Sequence, residues 1–286
     1  MMKAKDYRSS LQPVWCAGCG DYGVLKGLTQ ALADLEVPPE KLAVISGIGC
    51  SSRMPGYTHS YAFNSIHGRA LPIASGLKLS HPDITTVVVG GDGDGLSIGL
   101  GHLPHAIRRN PDITYAVLDN GIYGLTKGQS SPTTEVRFKQ ERGLAGPDER
   151  PLNPLLLVLS AGCGFVARTH AGNLPHLRET FREGIRYPGF AFIHVLAGCV
   201  TYQTRAYADQ IYQRCDLLPP DHDPTDFGRA LQLVVQPRFA LGVIYRRDPG
   251  EAPGVGEGAG AVEAGMWPHI DGGHGDGHSG DTEAEE

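Results

Sequence analysis

No stretch of the 286-residue chain approaches the roughly 20 consecutive apolar residues that a helix needs to cross a bilayer. Met1 to Gln12 also lacks the apolar core of a secretory signal, so a cytoplasmic protein with no membrane partner is expected. No internal repeat is present, which argues against a solenoid or an array. Lys and Arg are missing from Asp248 to Glu286, where ten acidic residues stand. The net charge of −6 therefore divides into this acidic segment and a preceding body of +4. Neither part is expected to bind nucleic acid. The segment is rich in Gly, Glu, Asp and His and has little to bury, so it should be disordered when isolated. Its main apolar island is Met266-Trp267-Pro268. Two regions are thus expected, a domain over 1–247 and a tail over 248–286. Cysteines number only six. In a reducing compartment, closely spaced ones are more often metal ligands or catalytic thiols than disulfides.

The body alternates helix and strand. Gly23 to Leu35 carries Val24, Leu25, Leu28, Leu32 and Leu35 on a helical stripe. Leu42 to Ser46, Thr85 to Val89, Thr114 to Leu118 and Phe190 to Leu196 read as buried strands. Leu96 to Arg109 is expected to be helical despite its glycines and Pro104. A further helix is expected over Asn173 to Tyr187, capped by Asn173 and stopped by Pro188-Gly189. Strands separated by helices imply an α/β fold, a mostly parallel sheet with helices on both faces.

Strand Thr85–Val89 runs into Gly90-Gly91-Asp92-Gly93-Asp94-Gly95. Glycines after a strand let the backbone approach a diphosphate, and a following helix N-terminus supplies N–H groups for it. The carboxylate of Asp92 is a hard oxygen ligand suited to Mg²⁺. The next strand ends in Asp119-Asn120-Gly121-Ile122-Tyr123-Gly124, and Asn120 offers a second oxygen one crossover later. A dinucleotide site fits less well, since it wants G-x-G-x-x-G opening the helix and an acidic residue about 20 positions on.

Cys16 and Cys19 form C-x-x-C in Trp15-Cys16-Ala17-Gly18-Cys19-Gly20. Cys50 follows in Ile48-Gly49-Cys50-Ser51-Ser52, and Cys199 in Cys199-Val200-Thr201-Tyr202. Four thiolates can hold zinc or a 4Fe–4S cluster, and spacing alone does not separate the two. A redox C-x-x-C is a third possibility.

The Gly-Asp-Gly loop, the later Asn120 and the run LDNGIYGLTKGQSSPT resemble the β subunits of 2-oxoacid:ferredoxin oxidoreductases. The segments W-C-x-G-C-G, I-G-C-S-S and C-V-T-Y resemble that family's three cluster-binding segments in order. The likeness extends from Pro13 to about Tyr202. It implies a thiamine-diphosphate-binding fold, with Asp92, Asn120 and the Ile122 carbonyl on Mg²⁺. Cofactor contacts are implied for Gly91, Asp92, Gly93, Asp94, Asn120, Ile122, Gly124, Leu125 and Thr126. Cys16, Cys19, Cys50 and Cys199 are implied as ligands of one 4Fe–4S cluster, while Cys163 and Cys215 match no such segment and read as structural thiols.

Three residues are candidates on the substrate side. Arg53 suits a carboxylate clamp. Lys127 suits a substrate carboxylate or a phosphate of coenzyme A. His67, in Asn64-Ser65-Ile66-His67-Gly68-Arg69, suits the diphosphate or the substrate. The implied reaction is coenzyme A-dependent oxidative decarboxylation of a 2-oxoacid, most like 2-oxoglutarate, with electrons passing to ferredoxin. No Glu here sits in a recognisable version of the residue that activates thiamine, so a partner α subunit is expected to complete the site. Two alternatives stand beside this: a non-redox thiamine-dependent lyase or decarboxylase with structural zinc, and a non-catalytic electron-carrier module on the same fold. The acidic tail is expected to compete for the ferredoxin surface or to dock through Met266 and Trp267.

Overall fold

β-branched and aliphatic residues fill the strand cores, so every central strand can bury both faces. The structure, a computed structural model, describes residues 2–136 and 149–248. Its strands are β1 (Leu42–Ser46), β2 (Tyr61–Asn64), β3 (Thr85–Gly91), β4 (Ile113–Asp119), β5 (Ile122–Tyr123), β6 (Gln129–Ser130), β7 (Phe165–His170), β8 (Phe190–Leu196), β9 (Cys215–Leu217) and β10 (Phe239–Arg246). The helices are α1 (Asp21–Asp34), α2 (Met54–Tyr57), α3 (Ala70–Ser80), α4 (Leu103–Arg109), α5 (Pro154–Ser160), α6 (Leu174–Arg186), α7 (Arg205–Gln213) and α8 (Phe227–Val234). Among the described residues, eight strands form one sheet in the order β2-β1-β3-β4-β8-β7-β10-β9. All neighbours are parallel except β10 on β7. Strands β5 and β6 form a separate antiparallel hairpin beyond the end of β4.

Alternate strand residues feed two cores. Val44, Val87, Ala116 and Ile193 face α1 and α6, whereas Ile45, Val88, Val117 and Phe192 face α3, α4, α5 and α8. This is the expected α/β architecture with both faces covered. Asn173 caps α6 as predicted, accepting from the His176 N–H at 3.3 Å. Strands β1 and β8 fall on their expected ranges.

The continuous helix expected over Leu96 to Arg109 is not formed. A π turn spans Asp94–Ile98, a 3₁₀ turn spans Leu100–His102, and regular α-helix begins only at Leu103. Ser97 leaves the helical region entirely at φ −109°, ψ −105°. Gly95, Gly99 and Gly101 give this stretch little helical preference, and Pro104 removes an N–H that continuous helix would use. π turns of this kind often mark functional sites. Apart from Asp248, the acidic tail and its Met266-Trp267-Pro268 island lie outside the described residues. No helix among the described residues is long and apolar enough to cross a membrane.

Leu28 is fully buried in α1, while Leu79 of α3 is 82% exposed. Leu28→Ala should cost about 2–5 kcal/mol in urea unfolding, from lost burial plus the cavity left behind. Leu79→Ala should change stability by less than about 0.5 kcal/mol. Equal costs would contradict the assignment of the core.

Candidate active site

Four neighbouring strands deliver the chemistry to one sheet edge. In sheet order, β1 leads to Cys50, β3 to Asp92, β4 to Asn120 and β8 to Cys199. The chain reverses its direction of travel across the sheet between β1 and β3, and such switch points open a crevice at the strands' carboxyl ends. A cleft of about 370 Å³ lies there. Gly91, Asp92, Gly93, Asp94, Asn120, Ile122, Gly124, Leu125, Thr126 and His67 all line it, together with Ile48 to Ser51.

Asp92 is buried at the cleft. Thr133 Oγ1 lies 2.9 Å from its Oδ2 and 2.7 Å from Asp119 Oδ1, its one proton going to either carboxylate, and the Asp92 Oδ1 accepts from the Asn120 N–H at a long 3.4 Å. Burial, and then the neighbouring Asp119 charge, push its carboxyl well above the ordinary range. Asp119 stays low although burial opposes it, because His194 and Thr133 stabilise its charge. Two carboxylates side by side, the buried one contacted mainly by neutral donors, fit a divalent cation. Asn120 adds an amide oxygen, which here accepts from the Ile122 N–H at 2.9 Å. Across the cleft, the Tyr123 hydroxyl donates to the Gly93 carbonyl at 3.1 Å and ties the β3 and β4 loops together.

Asp94 has a different task from Asp92. Its buried Oδ1 accepts from the Ile48 N–H at 3.0 Å and the Gly68 N–H at 2.7 Å. Nδ1 of His67 lies 2.9 Å from the same oxygen but off the hydrogen-bond direction. Asp94 thereby joins the loops after β1, β2 and β3. With Nδ1 turned to Asp94, the Nε2 of His67 is the ring nitrogen left for a ligand in the cleft.

A second cavity, of about 220 Å³, is lined by Cys16, Cys19, Cys50 and Cys199. Cys50, Asn120, Gly124 and Leu125 line both cavities and form their common wall. A Cβ on Gly124 would stand 3.6 Å from Cys50 Sγ and 3.8 Å from Cys199 Sγ, ordinary contact distances, so this wall lies directly against two of the thiols. A Cβ on Gly23 would lie 2.5 Å from the Ala171 carbonyl, so glycine lets the start of α1 seat against the turn after β7. That seating brings Cys16 and Cys19 to the β8 end. Burial pushes the Cys50 thiol up to about 11 and raises Cys19 further. The Tyr202 N–H points at Cys199 Sγ over 3.4 Å, and such bonds stabilise ligand thiolates. Among the described residues, no three His, Cys, Asp or Glu side chains stand close enough to share a single ion. The four thiols border a space instead.

Arg53 lines the thiol cavity and not the larger cleft. Lys127 lines neither. It sits exposed just past the cleft mouth, in the left-handed region at φ 78°. Cys163 is buried with its Sγ directed at the Phe165 carbonyl, and the half-buried Cys215 directs its Sγ at the Ile211 carbonyl, both apart from the four. Thr133, Asp119 and His194 were not among the residues singled out in the sequence. Asp119 and Thr133 lie in or next to the run LDNGIYGLTKGQSSPT, whereas nothing marks His194 inside an apolar strand.

Residues 47–195 match the family model described as thiamine pyrophosphate enzyme, C-terminal TPP binding domain. The chain is 37% identical over 254 residues to 2-oxoacid:ferredoxin oxidoreductase 2, subunit beta, of Aeropyrum pernix, covering 84% of this chain and 82% of that one. It is 38% identical over 238 residues to the 2-oxoglutarate synthase subunit KorB of Archaeoglobus fulgidus, covering 79% and 89% respectively. Among solved structures, a 2-oxoglutarate:ferredoxin oxidoreductase from Magnetococcus marinus with 2-oxoglutarate, coenzyme A and succinyl-CoA bound superposes with a TM-score of 0.83. It is 42% identical, and the superposition covers 87% of this chain and 86% of that one.

Replacing Asp94 by Ala leaves the Ile48 and Gly68 N–H groups without their carboxylate acceptor, the second of them buried. The cost expected is about 1–3 kcal/mol. Amide hydrogen exchange at Ile48 and Gly68 should accelerate, with β7 and β8 unchanged. Unchanged protection at both amides would remove Asp94 from its role as the joint.

Proposed function

The chain belongs to the β subunits of the 2-oxoacid:ferredoxin oxidoreductases, and we propose that it binds thiamine diphosphate, Mg²⁺ and one 4Fe–4S cluster for the oxidation of 2-oxoglutarate to its coenzyme A thioester. The observation that carries this is the wall shared by the two cavities. Cofactor cleft and thiol cavity are separated by Cys50, Asn120, Gly124 and Leu125. When bound, thiamine diphosphate supplies the nucleophilic carbon and electron sink for decarboxylation, and a cluster supplies one-electron acceptance.

This chain's residues bind and orient. Asp92, Asn120 and the Ile122 carbonyl hold the cation, while Gly91 and Gly93 let the backbone approach the diphosphate. Gly124, Leu125 and Thr126 close the cleft on its β4 side. His67 lines the cleft, where it binds the diphosphate or the substrate. The Arg53 guanidinium suits a substrate carboxylate near the shared wall, and the exposed Lys127 suits a phosphate of coenzyme A. Cys16, Cys19, Cys50 and Cys199 hold the cluster. The 220 Å³ space they border favours a cluster held at its corners over a structural zinc, which gathers four ligands at about 2.0–2.3 Å around one centre. The partner α subunit supplies the activating carboxylate, and ferredoxin takes the electrons. The named substrates of the relatives support 2-oxoglutarate.

A crossed measurement on the anaerobically purified complex tests the two sites together. Asp92→Ala should lose Mg²⁺-dependent thiamine diphosphate binding at least about 100-fold and keep its iron, since removing a ligand costs at least what changing a residue behind a ligand does. Cys16→Ser should lose iron and sulfide and keep thiamine diphosphate binding. Cys163→Ser and Cys215→Ser should keep both. Iron loss shared equally by all the cysteine variants, or wild-type thiamine binding in Asp92→Ala, would overturn the assignment.

A further inference from the structure

The helices cover one face of the sheet out to its edge and stop short on the other. On the first face, Met54 and Tyr57 of α2 share a core with Val44, and α2 lies against both β1 and β2. On the second face α3 packs on β1 and β3, and β2 beside it is exposed along its whole length. Tyr61 and Phe63 pair in register with Ala43 and Ile45 and therefore point to that second face. They are nevertheless 61% and 52% exposed. A groove of about 500 Å³ runs between these two rings and Ile73 and Leu77 of α3. Among the described residues β2 is also the outermost strand, so one side of its backbone has no ladder partner.

The groove leads to the rim of the cleft. Its two walls, β2 and α3, are joined by Ser65 to Arg69, and His67 of that loop lines the cleft. Ile66, next to His67, is exposed, and so is Ile98 of the π turn. Ile98 lies directly on the same loop, since a Cβ on Gly68 would come 2.6 Å from its Cγ2. Ile48 and Leu125 continue the exposed apolar surface along the cleft itself. Soluble proteins rarely leave so long an apolar track uncovered.

One sign of charge borders the track. Residues 66–82 and 95–111 contain no Asp or Glu, and they carry Arg69, Arg108 and Arg109 together with His81, His102 and His105. Asp83 and Asp112, which follow these stretches, are paired with Lys41 and Lys78. A second copy of this chain would bring the same basic border against itself, because a two-fold interface uses one patch twice. An apolar centre with a basic border fits a different chain whose own border is acidic.

We propose that this track is the docking surface of the α subunit, which lays an apolar segment with acidic flanks into the groove between β2 and α3. A partner that completes the cleft beside His67 has to cross the Ser65–Arg69 loop, and the groove begins on the other side of that loop. This rests on the cleft being completed by an α subunit, as proposed above.

The test uses the co-expressed complex of both subunits. With the photo-cross-linker p-benzoylphenylalanine at Phe63, light should join this chain to the α subunit, and the α-subunit peptide recovered should be apolar with Asp or Glu beside it. The same probe at Leu217, on the opposite edge strand β9, should give no such product. A product between two copies of this chain, no product at Phe63, equal yields at the two positions, or an α-subunit peptide bordered by Lys and Arg overturns the proposal. If the probe at Phe63 hinders assembly, the probe at Tyr61 decides by the same outcomes. In parallel titrations, Phe63→Glu should raise the dissociation constant for the α subunit about 30-fold or more, the scale of losing a central aromatic anchor. Leu217→Glu should leave it unchanged. Unchanged affinity in Phe63→Glu also overturns the proposal. The cross-link needs no thiamine diphosphate, so a wild-type complex that joins at Phe63 but binds no thiamine diphosphate would overturn the cofactor site and not the docking surface.

Discussion

Parallel pairing of β1, β3, β4 and β8 puts four strand exits side by side, at the roughly 4.8 Å spacing of hydrogen-bonded strands. Ser46 pairs with Val89, Gly91 with Leu118 and Asp119 with Leu196, so these strands end nearly level. Cys50, Asp92, Asn120 and Cys199 each follow one of those ends within a few residues. Thiols following the flanking strands and side-chain oxygens following the middle ones then meet across a shared wall. Antiparallel neighbours would send alternate exits to opposite edges and separate the two cavities. The close seating of Gly23 on Ala171 completes the set, since it carries Cys16 and Cys19 to the same edge.

Holding this edge together works against the stability of the bare chain. Asp92 is buried and the Asp119 side chain is only 10% exposed, and taking charge out of water is costly unless an opposite charge follows it. Asp119 has its compensation in His194 and Arg168 behind the sheet. Asp92 has hydroxyls and an amide, which stabilise a carboxylate but do not neutralise it. The thiols show the same design. Burial raises the Cys19 and Cys50 thiols, so a metal group bound there as proposed would have to displace their protons. Both cavities thus gather ionisable groups that burial makes costly to charge in the bare chain.

Residues whose chemistry is local were legible in the sequence. Gly-Asp-Gly after a β-branched run, an Asn one crossover later and three short cysteine segments each carry their meaning within a few positions. The long-range pairings were not legible. Thr133 reaches Asp92 over 41 positions and His194 reaches Asp119 over 75, and His194 and Arg168 sit in strands that otherwise read as apolar core. The stretch from Leu96 to Arg109 read as one helix because its apolar spacing allows it. Its glycines and the demand that Asp94 bond to Ile48 and Gly68 impose a π turn instead. Arg53 and Lys127 were grouped with the cleft by their charge. The structure separates them, one at the thiol cavity and one exposed, because neighbouring loop residues exit on different sides of the wall.

The central claim is that the shared wall lets electrons leave the cofactor cleft directly through the cluster. Anaerobic rapid mixing of the loaded complex with 2-oxoglutarate, without ferredoxin, tests it most directly. The cluster's visible absorbance should bleach during the first turnover, at the rate at which carbon dioxide is released. Release of carbon dioxide in stoichiometric amount, with coenzyme A present and the cluster remaining oxidised, would contradict the account.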